Sequence, residues 1–208
     1  GNDVSAVISG RTLDADGKPL AKCAVKLYRS GALVAEAVSS DTGVWGLVVE
    51  AGTYQVAASS AGDGLLIGEL EGVTVGKPKT YDIRFNGLRT VPTVRSIADA
   101  GNSWGNDIVL KNPSVRVGGN VYGSLERALE ASKELSIPLV EILATTELRK
   151  PAVVDFGCII TSVAAGAEGI RRDNAALTVA AGGSMTLSNV VFAAGAEAPV
   201  VEVLAGGK

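Results

Sequence analysis

The 208-residue chain contains no histidine. That absence removes the usual base of a catalytic triad, the commonest general acid-base side chain and the commonest zinc ligand together. Histidine-dependent mechanisms are therefore excluded for this chain. Long apolar runs are missing too. Hydrophobic residues make up 47% of the sequence, yet no window approaches the roughly eighteen uninterrupted apolar residues that a membrane-spanning helix needs. The apolar content is core material, and no transmembrane span is expected. Nor is there a stripe of one charge. The net charge is −3, with acids and bases interspersed, so nothing would displace counterions from a phosphate backbone and nucleic acid is not expected as a partner.

Cysteine is nearly absent. Cys23 and Cys158 lie far apart in segments assigned below to different modules, so two buried free thiols are expected rather than a disulfide. No signal-peptide pattern opens the chain: Gly1 to Asp3 are polar or small and lead straight into a strand pattern. That leaves either a cytosolic protein or a leader already removed. Aromatics, at 4%, are scarce, while the 26 glycines accompany abundant Val, Ala and Thr. This mixture suits short strands joined by tight turns, and a mainly β chain is the expectation.

From Val4 to Phe85 apolar residues recur with period two. Val25 and Leu27 alternate with Lys26 and Tyr28, Tyr54, Val56 and Ala58 with Thr53 and Gln55, and Tyr81, Ile83 and Phe85 with Asp82 and Arg84. Half-buried strands have this pattern. Turn residues separate them: Asp14 to Pro19, Ser30-Gly31, Ser40 to Gly43, Ala51-Gly52 and Gly62 to Gly64. About seven strands at this spacing predict a sandwich. Trp45, following the Asp41-Thr42-Gly43 turn, is expected in the core.

Ile8-Ser9-Gly10, Asp14, Gly17-Lys18-Pro19-Leu20, Ala24 to Leu27, Asp41 to Trp45 and Gly52 to Val56 together resemble the carboxypeptidase-regulatory-like domain, a transthyretin-like sandwich. The resemblance implies a non-catalytic accessory or interaction module over residues 1–86.

Between Asn86 and Val117 the pattern breaks into Gly, Asn and Pro with brief apolar runs, and 87–117 is expected to be a linker holding one strand at most. Trp104 lies there between Gly101-Asn102-Ser103 and Gly105-Asn106-Asp107. An exposed Trp in such a loop can stack on a sugar ring. The plainer expectation is that it packs between the modules.

Beyond it, Ser124 to Leu135 places Leu125, Ala128, Leu129, Ser132 and Leu135 on one helical stripe, with Ser124 as N-cap and Pro138 as stop. Short β-rich pieces follow at Leu139 to Leu143, Ala152 to Phe156, Cys158 to Ser162, Ala176 to Val179, Met185 to Phe192 and Pro199 to Leu204. No helical pattern intervenes, so a doubly wound sheet is excluded. Ala176 to Ser184 resembles Val200 to Lys208 at an offset of about 24 residues, within the repeat range of solenoids. On that repeat the chain would end inside a rung, with more of the native protein to follow.

Tyr122 to Leu129 and Ala181 to Val190 resemble the cap and rung of right-handed parallel β-helix, or pectin-lyase-like, bacterial surface proteins. The resemblance implies the start of such a β-helix over 118–208 behind one capping α-helix. Both resemblances favour an extracellular or cell-surface location with the leader removed, and lipid anchoring is one mode of attachment.

The chemistry-bearing clusters are few. Asp14-Ala15-Asp16-Gly17 begins like a calcium loop but lacks the later ligands and the terminal bidentate Glu, so a turn is expected and no metal. Pectin-lyase-like enzymes combine carboxylates with an arginine base, and the corresponding cluster here is Arg171-Arg172-Asp173 beside Glu168. A solvated, mutually neutralising loop is the plainer expectation for it. No catalytic residue and no cofactor is assigned. The ligand-binding candidates are Trp104, Arg171, Arg172 and Asp173. The preferred function is a non-catalytic structural or adhesive module meeting a polysaccharide or a surface or matrix protein. The alternative is the leading, non-catalytic part of a β-helical polysaccharide lyase or glycoside hydrolase.

Overall fold

The computed structural model describes residues 6–62, 64–77, 101–163, 169–172, 175–192 and 200–208, and the backbone of 81–85 and 89–93. The chain is mainly β, with several sheets and one helix among the described residues. That helix is too short to cross a membrane. Contacts divide the chain into two compact units, Gly1–Lys111 and Asn112–Lys208.

In the first unit β1 (Ala6–Leu13), β2 (Ala24–Arg29), β3 (Ala32–Val38), β4 (Val44–Val49), β5 (Gly52–Ser59) and β6 (Ile67–Val75) follow one another through tight turns. The expected alternation is present: Val25 and Leu27 of β2 and Tyr54, Val56 and Ala58 of β5 are buried, while Lys26 is exposed. One sheet has the order β3-β2-β5-β6, all antiparallel. A hairpin of β7 (Tyr81–Phe85) and β8 (Arg89–Thr93) forms a sheet of its own.

A further sheet departs from the expected linker. β9 (Ile108–Val109) runs parallel to β1, which pairs antiparallel with β4 on its other side. Ile108 and Leu110 are fully buried in one apolar cluster with Ile8, Val25, Leu27, Trp45 and Val56. Residues 101–111 thus complete the first unit, while 87–88 and 94–100 of the expected linker lie outside the described residues. Two glycines permit the approach. A Cβ on Gly10 would stand 1.9 Å from the Asn106 carbonyl oxygen, and one on Gly68 2.5 Å from that of Val109.

The second unit begins with β10 (Val115–Val117) and β11 (Asn120–Tyr122), an antiparallel pair. Next comes α1 (Leu125–Leu135), capped by Ser124, whose hydroxyl accepts the Arg127 N–H. Leu125, Ala128, Leu129 and Ser132 are buried as the stripe predicts, but Leu135 is exposed. Among the described residues nine strands then follow: β12 (Leu139–Ile142), β13 (Thr146–Leu148), β14 (Ala152–Val154), β15 (Gly157–Ser162), β16 (Gly169–Arg172), β17 (Leu177–Val179), β18 (Ser184–Ser188), β19 (Val191–Phe192) and β20 (Val201–Val203).

Every third strand joins the same sheet, in parallel: β12-β15-β18, β13-β16-β19 and β14-β17-β20. Leu177 pairs with Val201 and Val179 with Val203, which realises the 24-residue offset in backbone register. The run expected as one piece from Met185 to Phe192 bends at Asn189, whose left-handed backbone (φ 55°) sends β18 and β19 into different sheets. Asn tolerates that conformation better than most residues. Val140, Leu148, Val154, Ile160, Ile170 and Leu177 fill the interior, and Leu125 and Leu129 of α1 pack into the same cluster.

Candidate functional site

The segment carrying Trp104 is laced to β1. Ser103 N donates to Val7 O at 2.9 Å, Ser9 N to Ser103 O at 3.0 Å, and Asn106 N to Ser9 O at 3.0 Å. The Asn106 amide spans the bend, donating to the carbonyls of Ser9 and Ser103 at 3.0 Å each. The Asn102 side chain accepts Val7 N at 2.8 Å. Asp107 closes the far end, accepting Arg11 N at 3.1 Å and Arg11 Nη2 at 2.9 Å. That contact holds the Asp107 carboxyl below the usual carboxylate range and raises the Arg11 guanidinium, the shared side-chain hydrogen bond being the main cause. The pair is partly exposed, so its contribution to stability is small.

Trp104 is 57% exposed on this braced loop. Backbone bonds hold 102–107 along the edge of β1 without requiring the indole for anchorage. Beside it, the outer face of β1 and β4 carries Ser9 opposite Gly46, Arg11 opposite Val44 and Val7 opposite Val48. Val44 and Val48 are exposed. An indole 57% exposed on a loop tied to β1 offers a flat apolar face. It can stack on the C–H face of a sugar or on a side chain of a partner.

Arg171 and Arg172 lie on strand β16 rather than in a solvated loop, because Ile170 fills an interior position and β16 pairs with β13. Arg171 is exposed and registers with Glu147, while Arg172 is half-buried and donates through Nη1 to Ala175 O at 3.1 Å. Strand alternation sends the two side chains to opposite sides, so they do not converge as a charged pair. Asp173 and Glu168 lie outside the described residues. The Asp14 carboxylate accepts the Asp16 and Lys18 N–H groups at 2.9 Å each, a side-chain-closed turn as expected.

One concavity escaped the sequence analysis. A cleft of about 270 Å³ opens in the first unit, bordered by Tyr28, Ser30, Thr53, Gln55, Glu71 and Gly72. The Ser30-Gly31 turn is legible as a sequence signal, but the strand irregularity at Glu71-Gly72 leaves none beyond an isolated glycine.

No protein-family model matches the chain, and no curated protein matches it. Among solved structures, hydroxyquinol 1,2-dioxygenase from Pseudomonas putida DLL-E4 is similar at 12% identity with a TM-score of 0.33, over 54% of this chain. The aligned part spans 58% of that enzyme chain, and a superposition this loose carries no inference about activity.

Proposed function

We propose that this chain is a non-catalytic structural and adhesive piece of a secreted or cell-surface protein, and that it holds a glycan against Trp104. The first unit is, on this reading, a carboxypeptidase-regulatory-like β-sandwich. The second is the start of a right-handed parallel β-helix, pectin-lyase-like, with α1 as its cap. The sequence motifs quoted above support the first assignment. The threefold cycle of parallel strands and the in-register repeat of Leu177 and Val201 support the second. Both resemblances support an extracellular or cell-surface location. A chain without histidine, whose two arginines on β16 diverge, fits binding better than turnover.

The observation that carries the binding reading is the 57% exposure of Trp104 on a loop fixed by backbone and side-chain bonds. The test is a polysaccharide array probed with the full chain and with Trp104→Ala. At least one glycan should be retained by the parent, and the variant should lose about tenfold or more in affinity, the scale of a removed aromatic anchor. Binding that is unaffected by Trp104→Ala, silence across neutral and anionic polymers, or release of new reducing ends by the chain itself would overturn the proposal. Capture of a surface protein instead of a glycan would do so as well.

A further inference from the structure

The strand edges of the first unit are guarded unequally. An open edge invites another strand, and bulges, charges, proline or brevity normally blunt it. β3 carries Glu36 and a bulge, since Leu27 pairs with Ala35 but Tyr28 with Leu33. β6 carries Glu69 and Glu71 and slips in register where Tyr54 pairs with Val73 but Val56 with Leu70. β7 and β8 hold Asp82, Arg84, Arg89 and Pro92, and β9 has only two residues. β4 has none of these devices. Its sequence Val44-Trp45-Gly46-Leu47-Val48-Val49 is uncharged, it pairs with β1 along its whole length without a slip, and it ends its sheet among the described residues.

The backbone groups left open on β4 follow from the ladder. Thr12 N donates to Gly43 O at 2.8 Å, one step beyond the paired strands, so the hydrogen-bonded pairs with β1 recur at Trp45 and Leu47. The N–H and C=O of Val44, Gly46 and Val48 therefore point away from β1. The Ser40 turn takes those of Val44: Ser40 N donates to Val44 O at 2.8 Å, and Val44 N to Ser40 Oγ at 3.1 Å. Gly46 and Val48 are left without a backbone partner among the described residues. Two open residues at this spacing match an antiparallel copy of themselves, Gly46 to Val48 and Val48 to Gly46, with Leu47 facing Leu47 on a twofold axis. The side chains agree with that register. Val48 is 67% exposed, and the copy's Gly46 offers it bare backbone, where an added Cβ would meet nothing closer than Ser9 Cβ at 3.6 Å. Glu50 of each copy comes opposite Val44 of the other, so no like charges meet across the pairing.

We propose that the β4 edge is a homodimer interface, in which β4 of two chains pairs antiparallel about Leu47 and joins their β4-β1-β9 sheets into one. An unrelated strand would be selected by charge or by side-chain pockets, and β4 offers neither, whereas its own copy satisfies both the open backbone groups and the notch at Gly46. The pairing does not rest on the Trp104 reading, and either can fail alone. The test is sedimentation velocity of the full chain over a concentration series. A monomer–dimer equilibrium is expected with a dissociation constant on the order of 10 μM, as suits a small interface. Val48→Lys, which places a charge on the edge, should weaken it about tenfold or more, and Gly46→Val, which fills the notch, should do the same. Val153→Lys, at an equally exposed valine of the second unit, should leave it unchanged. Near-ultraviolet circular dichroism of Trp45 reports whether each variant folds, and Gly46→Val decides alone if Val48→Lys does not. Leu47→Cys should form an intermolecular disulfide under mild oxidation, because facing residues of such a pair lie about 4.5 Å apart at Cα, whereas Cys23 and Cys158 are buried. A chain that stays monomeric to about 1 mM, a dimer unmoved by the folded edge variants, an equal loss in Val153→Lys, or a folded Leu47→Cys that does not cross-link would overturn the assignment.

Discussion

Cys158 sits in β15 opposite Met185 and is 3% exposed, with burial pushing its thiol up to about 11. A protonated thiol is the form the apolar interior accepts. Because the folded value is raised, the stabilisation is complete below the ordinary thiol range and is lost as pH climbs from about 9 toward 11. Two results are expected: negligible labelling by a thiol reagent at neutral pH until the chain is unfolded, and a second unit whose thermal midpoint falls between those pH values more in the parent than in Cys158→Ala. Rapid labelling of Cys158 in the native state would contradict this.

Cys23 is buried and free in the first unit, as the low cysteine count predicts. Trp45 also lies where the sequence places it, 2% exposed in the core, although its Nε1 has no hydrogen-bond partner among the described residues. Glu126 is, by its place in the sequence, no more than an acid in the first turn of α1. In the structure it is buried at 3% exposure and accepts Arg149 Nε at 2.8 Å, a long-range pairing that no local pattern encodes.

At the scale of elements, α1 was readable because its signals are local: an N-cap serine, a helical stripe and a proline stop. The same cap has a second role, since Arg149 Nη2 donates to Ser124 Oγ at 3.1 Å. Ser124→Ala should therefore cost somewhat more than the roughly 1 kcal/mol of an ordinary cap. Glu126→Ala should cost about 1–3 kcal/mol, because its partner Arg149 is 47% exposed and can rehydrate. Both are measured by urea titration followed through the helical circular dichroism. Tryptophan fluorescence should not move, since Trp45 and Trp104 both belong to the first unit. A shift in fluorescence midpoint of equal size would show that the units do not melt separately.

Strands β13 and β16 were not readable. Each has three or four residues, too few for a period of two to emerge, and Arg171-Arg172 masks the single interior contact of Ile170. The strand allowed in 87–117 was legible as a brief apolar run, but the pairing of β9 was not. Ile108-Val109 is a two-residue strand whose meaning comes from β1, about a hundred positions earlier, and from the bare backbone at Gly10 and Gly68. The exposure of Trp104 follows from this pairing, so the candidate surface was legible as a residue but not as a place.

For the whole molecule, contacts divide the chain between Lys111 and Asn112, within the stretch 87–117 expected as a linker. A piece covering 1–89 would lack Ile108 and Leu110, both essentially fully buried, along with the parallel edge pairing of β1. Deleting two such side chains from a core typically costs several kcal/mol. The piece 1–111 is therefore expected to unfold cooperatively on heating, and 1–89 to be largely unfolded or strongly destabilised, as read by near-ultraviolet circular dichroism of Trp45. Equal melting of the two pieces would mean that β9 is an ornament on a core already complete.

The pairing of β1 with β9 also bears on biosynthesis. The opening strand gains its last neighbour only when residue 109 is available, so the first unit must wait, partly closed, while its own tail is translated. The parallel strand pairings of the second unit carry no such delay. Each new circuit finds its template already laid down, and assembly there can keep pace with elongation from the ribosome.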